Sequence, residues 1–282
     1  MRDARAETRQ WSVAGDSQEE PVRQRIRVLV VEDSLINQRV ALGMLKKLGY
    51  PADVADNGRE ALAALERFAY AAVLMDCQMP EMDGFAATAA IRAREGDARR
   101  TPIIAMTANA MLGDRERCLD AGMDDYIAKP FRVQDLAAAL ERWVGPAPPA
   151  ATAGLAGADG EAEDGSPPVI DEEALAGLVH LGMDLVADVL VPFRRDSAQR
   201  LPQLDEAARR ADSESLSRVA HALKGDAVVV GAVELQGLCV QLERLGREGR
   251  VAEAAALLEA VREAFARADL ALEDAIDRRA AT

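Results

Sequence analysis

Two lysines stand out because lysine is rare in this chain. Only 4 of the 34 basic residues are lysine, and arginine fills the other positions. Lys129 lies in the run Tyr-Ile-Ala-Lys-Pro-Phe, and Lys224 lies in the run His-Ala-Leu-Lys-Gly that begins at His221. A lysine is a compact charge on a flexible stem, which suits a small, crowded phosphoryl group better than a planar guanidinium does. The two lysines therefore indicate phosphoryl chemistry at two places, with Asp76 and His221 as the candidate acceptors.

Three carboxylates are expected to converge near the first of these lysines. Glu32 and Asp33 close a predicted first strand, Asp76 closes the third, Thr107 closes the fourth, and Lys129 follows the fifth. In an open parallel sheet, ligands bind at the carboxyl ends of the strands. Carboxylates that meet there repel one another and typically hold a hard cation, and Mg²⁺ fits because it keeps waters that a phosphate can displace. Asp76 would attack phosphorus, and Lys129 and the Thr107 hydroxyl would stabilise the charge on the transferring phosphoryl group.

The elements that must position these residues alternate between strand and helix patterns from residue 26 to residue 144. The predicted strands are Arg27–Val31, Ala52–Ala55, Ala71–Met75, Ile103–Met106 and Asp125–Ala128. The predicted helices are Leu35–Leu48, Gly58–Phe68, Phe85–Arg94, Gly113–Ala121 and Val133–Trp143. Uninterrupted apolar runs in several strands indicate burial on both faces. The alternation predicts an α/β fold, a doubly wound five-stranded parallel sheet with helices on both faces.

His221 lies on the outward face of a predicted helix. The apolar stripe of that helix consists of Leu216, Val219, Ala220, Leu223, Ala227 and Val230. At about 100° per residue, His221 points roughly 140° away from the centre of the stripe. Arg218, Lys224 and Gly225 are its neighbours on the helix surface, so the pattern predicts a solvent-facing imidazole beside two cations with room for a docking protein. His180 has no such neighbours, and we interpret it as a packed or surface histidine.

The second half of the chain predicts an all-α domain. Helical patterns cover Glu172–Leu181, Asp184–Ala211, Glu214–Val230, Val233–Gly246 and Val251–Asp277. Pro192 and Pro202 are expected to start, kink or break the second of these helices. The whole segment 170–282 is predicted to be a helical bundle.

Two further segments have the composition of connectors. Residues 1–25 are polar and charged without periodicity, which predicts a flexible N-terminal segment. Of the 24 positions from 145 to 168, 17 are Gly, Pro or Ala, so we interpret residues 145–169 as a linker long enough for the domain at 26–144 to face the bundle.

Bulk properties exclude several classes of protein. The net charge of −14 argues against a duplex nucleic-acid partner, which would require a basic face. The chain lacks the long apolar run of a membrane span, and it does not begin with a secretory signal. Three widely separated cysteines favour a reduced, cytoplasmic protein without zinc or a structural disulfide. Phosphate-binding glycine loops and hydrolase serine motifs are absent from the sequence, so we expect no kinase ATP-binding module and no enzyme beyond phosphotransfer.

The motifs of residues 26–144 resemble the receiver domain of two-component response regulators, and in particular the receivers of hybrid sensor kinases. The resemblance is carried by Glu32-Asp33, by the run Met75–Gly84, by Met106–Asn109 and by Lys129-Pro130-Phe131. It implies that Asp76 is the phosphoacceptor and that Thr107 and Tyr126 form a conformational switch. It also implies a cis peptide before Pro130. The implied Mg²⁺ ligands are Glu32, Asp33, Asp76 and the backbone carbonyl of Gln78.

The run from Ala220 to Gly225, followed by Gly231-Ala232, is similar to the histidine phosphotransfer domain. This resemblance implies that His221 carries a phosphohistidine supported by Lys224 and Gly225. Asp226 departs from the family pattern, which has a small residue there. On the helical wheel Asp226 lies near the edge of the apolar stripe, and we expect it to affect bundle packing or partner choice more than the phosphoryl site.

Taken together, these features predict a phosphorelay protein. An upstream sensor histidine kinase would load Asp76, and His221 would exchange the group with Asp76 or with a downstream response regulator receiver. Two alternatives remain open at this point: an adaptor or phosphate sink whose binding is switched by phosphorylation of Asp76, and the C-terminal remnant of a hybrid kinase. Replacing His221 with Gln separates relay from adaptor, because only the relay requires the imidazole.

Overall fold

The first domain is a five-stranded parallel sheet with strand order β2-β1-β3-β4-β5. The computed structural model of the chain describes residues 26–95, 100–107, 112–145 and 169–280. The strands are β1 (Val28–Val31), β2 (Ala52–Ala55), β3 (Ala72–Asp76), β4 (Ile103–Thr107) and β5 (Asp125–Ala128). Strands β1, β3 and β4 are buried along their whole length, as their apolar sequences require for central strands covered on both faces.

Five helices cover the two faces of this sheet. They are α1 (Leu35–Lys47), α2 (Gly58–Arg67), α3 (Gly84–Glu95), α4 (Leu112–Asp120) and α5 (Val133–Val144). Ser34 begins α1, because its side chain accepts a hydrogen bond from the backbone of Asn37. Alternate residues of β1 belong to different apolar clusters: Val28 and Val30 face one side, and Leu29 and Val31 face the other. The predicted doubly wound α/β fold is confirmed.

The second domain contains helices alone among its described residues, apart from one isolated bridge between Ile170 and Ala232. The helices are α6 (Glu172–Leu181), α7 (Met183–Arg209), α8 (Ser213–Val229), α9 (Val233–Arg247), α10 (Val251–Ala255) and α11 (Leu258–Ala280). The predicted helical bundle is confirmed. Its central pair is α8 and α9, and Gly246 allows their close approach because a Cβ there would lie 2.8 Å from the backbone nitrogen of Ser217.

Two details of this bundle bear on the sequence prediction. Of the outcomes expected at Pro192 and Pro202, a helix start and a helix break do not occur, because α7 runs through both prolines and packs against α8. A kink at either proline stays a prediction. A proline inside a helix costs on the order of 3 kcal/mol, a loss that the packing of a 27-residue helix can offset. The predicted single final helix is wrong: it is divided into α10 and α11, because the buried Val251 and Ala254 of α10 pack towards α7 and α9.

The two domains share one continuous apolar core. The cluster on one face of the sheet includes Val40 and Met44 of α1, and it extends into Val186 and Val189 of α7. Helix α1 is the element that joins them, because it contacts α6, α7 and α8. The sequence did not predict this contact, because the pattern of α1 shows an apolar face but not what covers it.

Some of the predictions fall outside the described residues. The N-terminal segment at 1–25 and residues 146–168 of the predicted linker are among them, as are Ala108 and Asn109 of one receiver motif. Within the described part of the chain, no helix is long and apolar enough to cross a bilayer. Cys77, Cys118 and Cys239 are all buried, and none of the three is joined in a disulfide.

Candidate functional site

The carboxyl edge of the sheet gathers the three carboxylates that the sequence singled out. Glu32 and Asp33 directly follow β1, and Asp76 is the last residue of β3. One oxygen from each of the three lies within 4.8 Å of the others. Glu32 and Asp76 are buried, whereas Asp33 is exposed at the mouth of the site. Burial and the charge of Asp76 raise the pKa of Asp33, as expected for carboxylates that crowd one another.

Lys129 connects two of these carboxylates. Its Nζ donates to Glu32 Oε2 at 2.5 Å and to Asp76 Oδ2 at 2.8 Å. The peptide bond between Lys129 and Pro130 is cis, as the receiver resemblance implied. Burial lowers the pKa of Lys129, but the charges of Asp76 and Glu32 outweigh this effect and raise it above its usual value. Lys129 therefore remains a cation at neutral pH and keeps its positive charge next to Asp76.

The other receiver residues take these positions around Asp76. Thr107 is buried at the end of β4, and its backbone carbonyl accepts from the backbone of Lys129 at 2.6 Å. The backbone nitrogen of Gln78 donates to Asp76 Oδ1 at 3.1 Å, and Gln78 lies at the wall of the cleft above Asp76. Tyr126 is half-buried in β5, with the guanidinium of Arg115 5.8 Å from its ring centroid. The roles of Thr107 and Tyr126 as a switch, and of the Gln78 carbonyl as a ligand, stay predictions.

The loop that follows Asp76 is fixed by a close backbone approach. A Cβ on Gly84, the first residue of α3, would lie 2.1 Å from the carbonyl oxygen of Asp76. No side chain can occupy that space without moving the backbone of one of the two residues. Gly84 thus allows the beginning of α3 to lie directly against the backbone of Asp76.

The second site is centred on His221 in α8. His221 Nδ1 lies 2.9 Å from Glu243 Oε1, and Lys224 Nζ lies 2.6 Å from Glu243 Oε2. Burial raises the pKa of Glu243, but hydrogen bonds from His221 and Lys224 reverse this effect and lower it to about 2. Glu243 is therefore a carboxylate that can only accept, so Nδ1 carries the proton and Nε2 retains its lone pair.

The environment of His221 differs in part from the prediction. The apolar stripe of α8 is buried as predicted, yet the imidazole is only 25% exposed rather than solvent-facing. Lys224 lies 3.4 Å from Nδ1, but Arg218 bonds to Ser215 instead of the imidazole. This difference arises from tertiary structure. The first domain and Glu243 cover the face of α8 that an isolated helix would leave open to solvent. His180 is exposed.

Asp76 and His221 line the same cleft. Its volume is about 980 Å³, and its walls also include Lys129, Lys224 and Gly225. Burial and the charge of Asp76 raise the pKa of Asp33, and the imidazole of His221 would lower it only when that ring is protonated. Asp76 and His221, which the sequence singled out separately, thus open onto one cleft.

Polar contacts hold the domains in this arrangement. Ser34 Oγ donates to Asp226 Oδ1 at 2.7 Å, and Arg132 Nη2 lies 2.6 Å from Glu173 Oε1. Asp226 is fully buried and also pairs with Arg200. The sequence patterns did not single out Ser34, Arg200 or Glu243 as site residues. Glu243 had a usable signal, since it lies beside Leu242 on the apolar side of α9, where an unpaired carboxylate is not expected.

Comparison with protein families matches both halves of the chain. Residues 28–141 match the response regulator receiver domain, and residues 188–281 match the Hpt domain. The chain joins a receiver domain to an Hpt domain. It is homologous to hybrid sensor histidine kinases, and a receiver followed by an Hpt domain is a phosphorelay signalling module. The acidic cluster of Glu32, Asp33 and Asp76 lies where receiver domains bind Mg²⁺. A kinase domain is not among the families matched.

Two relatives illustrate this similarity. The hybrid signal transduction protein dokA of Dictyostelium discoideum is 46% identical over 117 residues, which are 42% of this chain and 7% of dokA. The sensor protein GacS of Pseudomonas syringae pv. syringae is 33% identical over 226 residues, which are 78% of this chain and 24% of GacS. The chain therefore spans a quarter or less of the length of these relatives.

Two solved structures with similar sequences contain receiver domains. One is the receiver domain of the sensor histidine kinase PA1611 from Pseudomonas aeruginosa PAO1, solved with a magnesium ion coordinated in its active-site cleft. It is 51% identical, covers 43% of this chain and 98% of its own, and superposes with a TM-score of 0.40. A chain from the co-crystal structure of the Saccharomyces cerevisiae histidine phosphotransfer signaling protein Ypd1 and the receiver domain of its downstream response regulator Ssk1 is 31% identical. That match covers 42% of this chain and 88% of that chain, with a TM-score of 0.39.

Proposed function

We propose that this chain transfers a phosphoryl group between Asp76 of its receiver domain and His221 of its Hpt domain. The observation that carries the proposal is that both residues line one cleft, each with its own lysine. An upstream sensor histidine kinase would supply the group to Asp76, and the receiver of a downstream response regulator would accept it from His221. Pairing of Hpt domains with receivers is typical of phosphorelays.

The ligand set of the receiver fits Mg²⁺. Oxygen ligands from Glu32, Asp33 and Asp76 are close enough to share one hard cation, and Asp33 at the mouth leaves space for water and phosphate. The carbonyl of Gln78 completes the proposed set. When bound, Mg²⁺ would supply charge neutralisation for the phosphoryl oxygens.

The residues of the chain account for the transfer step in both directions. Nε2 of His221 attacks the phosphorus of the aspartyl phosphate, the new N–P bond forms, and the bond from phosphorus to the Asp76 oxygen breaks. Asp76 leaves as a carboxylate, which the ammonium of Lys129 stabilises. The proton on Nδ1 stays in place and is held by Glu243, so the resulting cationic imidazole faces a carboxylate.

Lys224 and Gly225 have separate roles in this proposal. Lys224 would balance the charge of the phosphohistidine, since its Nζ lies beside the imidazole. Gly225 leaves the approach free, and a Cβ there would lie 3.5 Å from Asn37 of the receiver domain. Thr107 and Tyr126 would report phosphorylation of Asp76 to the outer face of the receiver.

Phosphosite mapping tests the proposal. The intact chain, Asp76→Asn and His221→Gln would be incubated with a small phosphodonor and Mg²⁺. We expect base-labile label on Asp76, acid-labile label on His221, and loss of the His221 label in Asp76→Asn. His180→Gln is the matched control, because His180 is the other histidine of the chain and should leave labelling unchanged.

The alternative of a phosphorylation-switched adaptor makes the opposite forecast for the same variants. Label that stays on Asp76 in every variant and partner mixture would remove the relay and leave the adaptor. The shared cleft favours the relay, because an adaptor does not require an imidazole opposite the phosphoacceptor.

A further inference from the structure

Asp226 is a buried carboxylate at the boundary between the two domains. Its side chain is fully buried, and it accepts a hydrogen bond of 2.7 Å from the hydroxyl of Ser34, which is itself 5% exposed. Its other oxygen pairs with Arg200, whose side chain is 18% exposed. A cation from the Hpt domain and a hydroxyl from the receiver therefore share one carboxylate.

Because Asp226 is buried at this boundary, docking of the two domains depends on which receiver side chain hydrogen-bonds to it. Burial raises the pKa of Asp226 to about 6, although Arg200 and Ser34 lower it in part. A buried charge is tolerated only when its hydrogen bonds are made, and removing one partner leaves the full cost of desolvation. The hydrogen bond from the Ser34 hydroxyl to Asp226 therefore stabilises the docked domains more than an ordinary surface hydrogen bond would.

The position of Ser34 in the receiver determines which receiver side chain contacts Asp226. Ser34 directly follows the acidic pair Glu32-Asp33, and it begins α1, the helix that the Hpt domain covers. Any receiver that brings its phosphoacceptor to His221 in this orientation brings its own residue at the same position to Asp226. The docking orientation therefore places that residue against Asp226, whatever the sequence of the rest of the receiver.

We infer that Asp226, held by Arg200, selects the receivers with which His221 exchanges, by requiring a hydrogen-bond donor at the position directly after their acidic pair. The partner class is therefore a receiver with a hydroxyl or amide side chain there. Receivers with a carboxylate or an apolar side chain at that position are rejected, the first by charge repulsion and the second by an unsatisfied Asp226. This inference rests on the proposed relay.

The same contact predicts that two receivers compete for one surface of the Hpt domain. The receiver of the chain itself satisfies Asp226 through Ser34, so it occupies the surface that a second receiver needs. Weakening the contact has opposite effects depending on which receiver carries the change. A visiting receiver would lose access, whereas the same change in the resident receiver would free the surface.

Two full-length variants make these effects measurable. His221→Gln, phosphorylated on Asp76 and freed of phosphodonor, serves as donor, and Asp76→Asn serves as acceptor at its His221. Ser34→Asp is placed in either one, because aspartate still caps α1 but sets a carboxylate against Asp226. We expect transfer to slow by roughly tenfold or more when the donor carries Ser34→Asp, and to accelerate when the acceptor carries it.

Further variants separate selection from damage to the fold. Asp226→Asn in the acceptor should restore transfer from the Ser34→Asp donor, and Ser34→Thr should behave as the unaltered chain does. Ser213→Asp adds the same charge at the start of α8 and is the matched control. If Ser34→Asp changes the transfer rate in the same direction in donor and acceptor, or has no effect, the selection of receivers by Asp226 is overturned. The relay itself would not be affected by that result. Absence of transfer in the unaltered pair would instead overturn the relay, and the inference with it.

Discussion

Nδ1 of His221 and Oε1 of Glu243 lie 2.9 Å apart across the pair of helices α8 and α9. Glu243 is 4% exposed and accepts from three side chains, those of His221, Lys224 and Arg247. One buried carboxylate thereby fixes the orientation of the imidazole and the position of its neighbouring ammonium. In the proposed relay, this arrangement leaves Nε2 to take the phosphoryl group while Glu243 holds the other side of the ring.

Replacing Glu243 with Ala tests this positioning role. We expect transfer to His221 to slow by about tenfold, because removal of a positioned acceptor costs about 1–3 kcal/mol. The share of imidazole protonated at Nδ1 should fall as well, which nitrogen NMR of His221 reports directly. Glu243→Gln keeps an acceptor and should retain most of the transfer. The exposed Glu248→Ala is the control, and an unchanged tautomer in Glu243→Ala would contradict the role.

The pKa of Glu243 predicts how its contribution to stability depends on pH. Its pKa is about 2 in the folded chain against a usual value of 4.5, so its contribution is present above pH 4.5 and is lost as the pH falls towards 2. This shift corresponds to on the order of 3 kcal/mol at pH 7 and on the order of 1 kcal/mol at pH 3. The difference in unfolding free energy between the unaltered chain and Glu243→Gln, from urea titrations, should shrink accordingly. A difference that is the same at both pH values would exclude this linkage.

Removing Lys129 should make the receiver dependent on a divalent cation for its stability. Lys129→Gln leaves the buried Glu32 and Asp76 without their shared cation, which costs about 3–5 kcal/mol when one partner of a buried pair is lost. Mg²⁺ should recover much of this loss by neutralising the same carboxylates. Thermal unfolding with and without Mg²⁺ measures the recovery.

The exposed Lys46→Gln provides the matched control for that experiment. It makes the same chemical change on α1, away from the carboxylates, and its melting temperature should respond to Mg²⁺ as that of the unaltered chain does. Equal responses of the two variants would show that Lys129 does not hold the charge of the cluster.

Gly84 and Gly237 predict opposite effects of the same substitution. Gly84→Ala places a methyl group 2.1 Å from the carbonyl oxygen of Asp76, so it should destabilise the receiver and slow phosphorylation of Asp76. Gly237 is inside α9 with nothing within 4 Å of a Cβ, and its change to Ala should stabilise the chain by up to about 1 kcal/mol. Chemical unfolding and Asp76 labelling measure both variants. A tolerated Gly84→Ala would contradict the close approach.

The receiver could be predicted in detail because its determinants are local. Apolar strands such as Val28–Val31 are buried on both faces, and the ends of parallel strands necessarily meet at one edge of the sheet. That rule alone brings Asp76 next to Glu32 and Lys129. The helical periodicity of α8 similarly identified the buried stripe opposite His221.

What could not be predicted depends on contacts between residues far apart in the chain. Ser34 and Asp226 are separated by 192 positions, and nothing local in either segment indicates the other. The surroundings of His221 were predicted as solvent because the wheel describes one helix, whereas Glu243 belongs to the next helix. The division between α10 and α11 has no Gly or Pro to mark it, so tertiary packing sets it.

The position of the Hpt domain over α1 has a consequence for timing. An upstream kinase of the proposed relay would have to bring its histidine to the same cleft that His221 lines, and Asp76 itself is only 6% exposed. In the proposed relay, the two domains must therefore separate once for each phosphoryl group that enters and meet again before it leaves. The rate of that separation sets an upper limit on the signalling flux through the chain, even if each chemical step is faster.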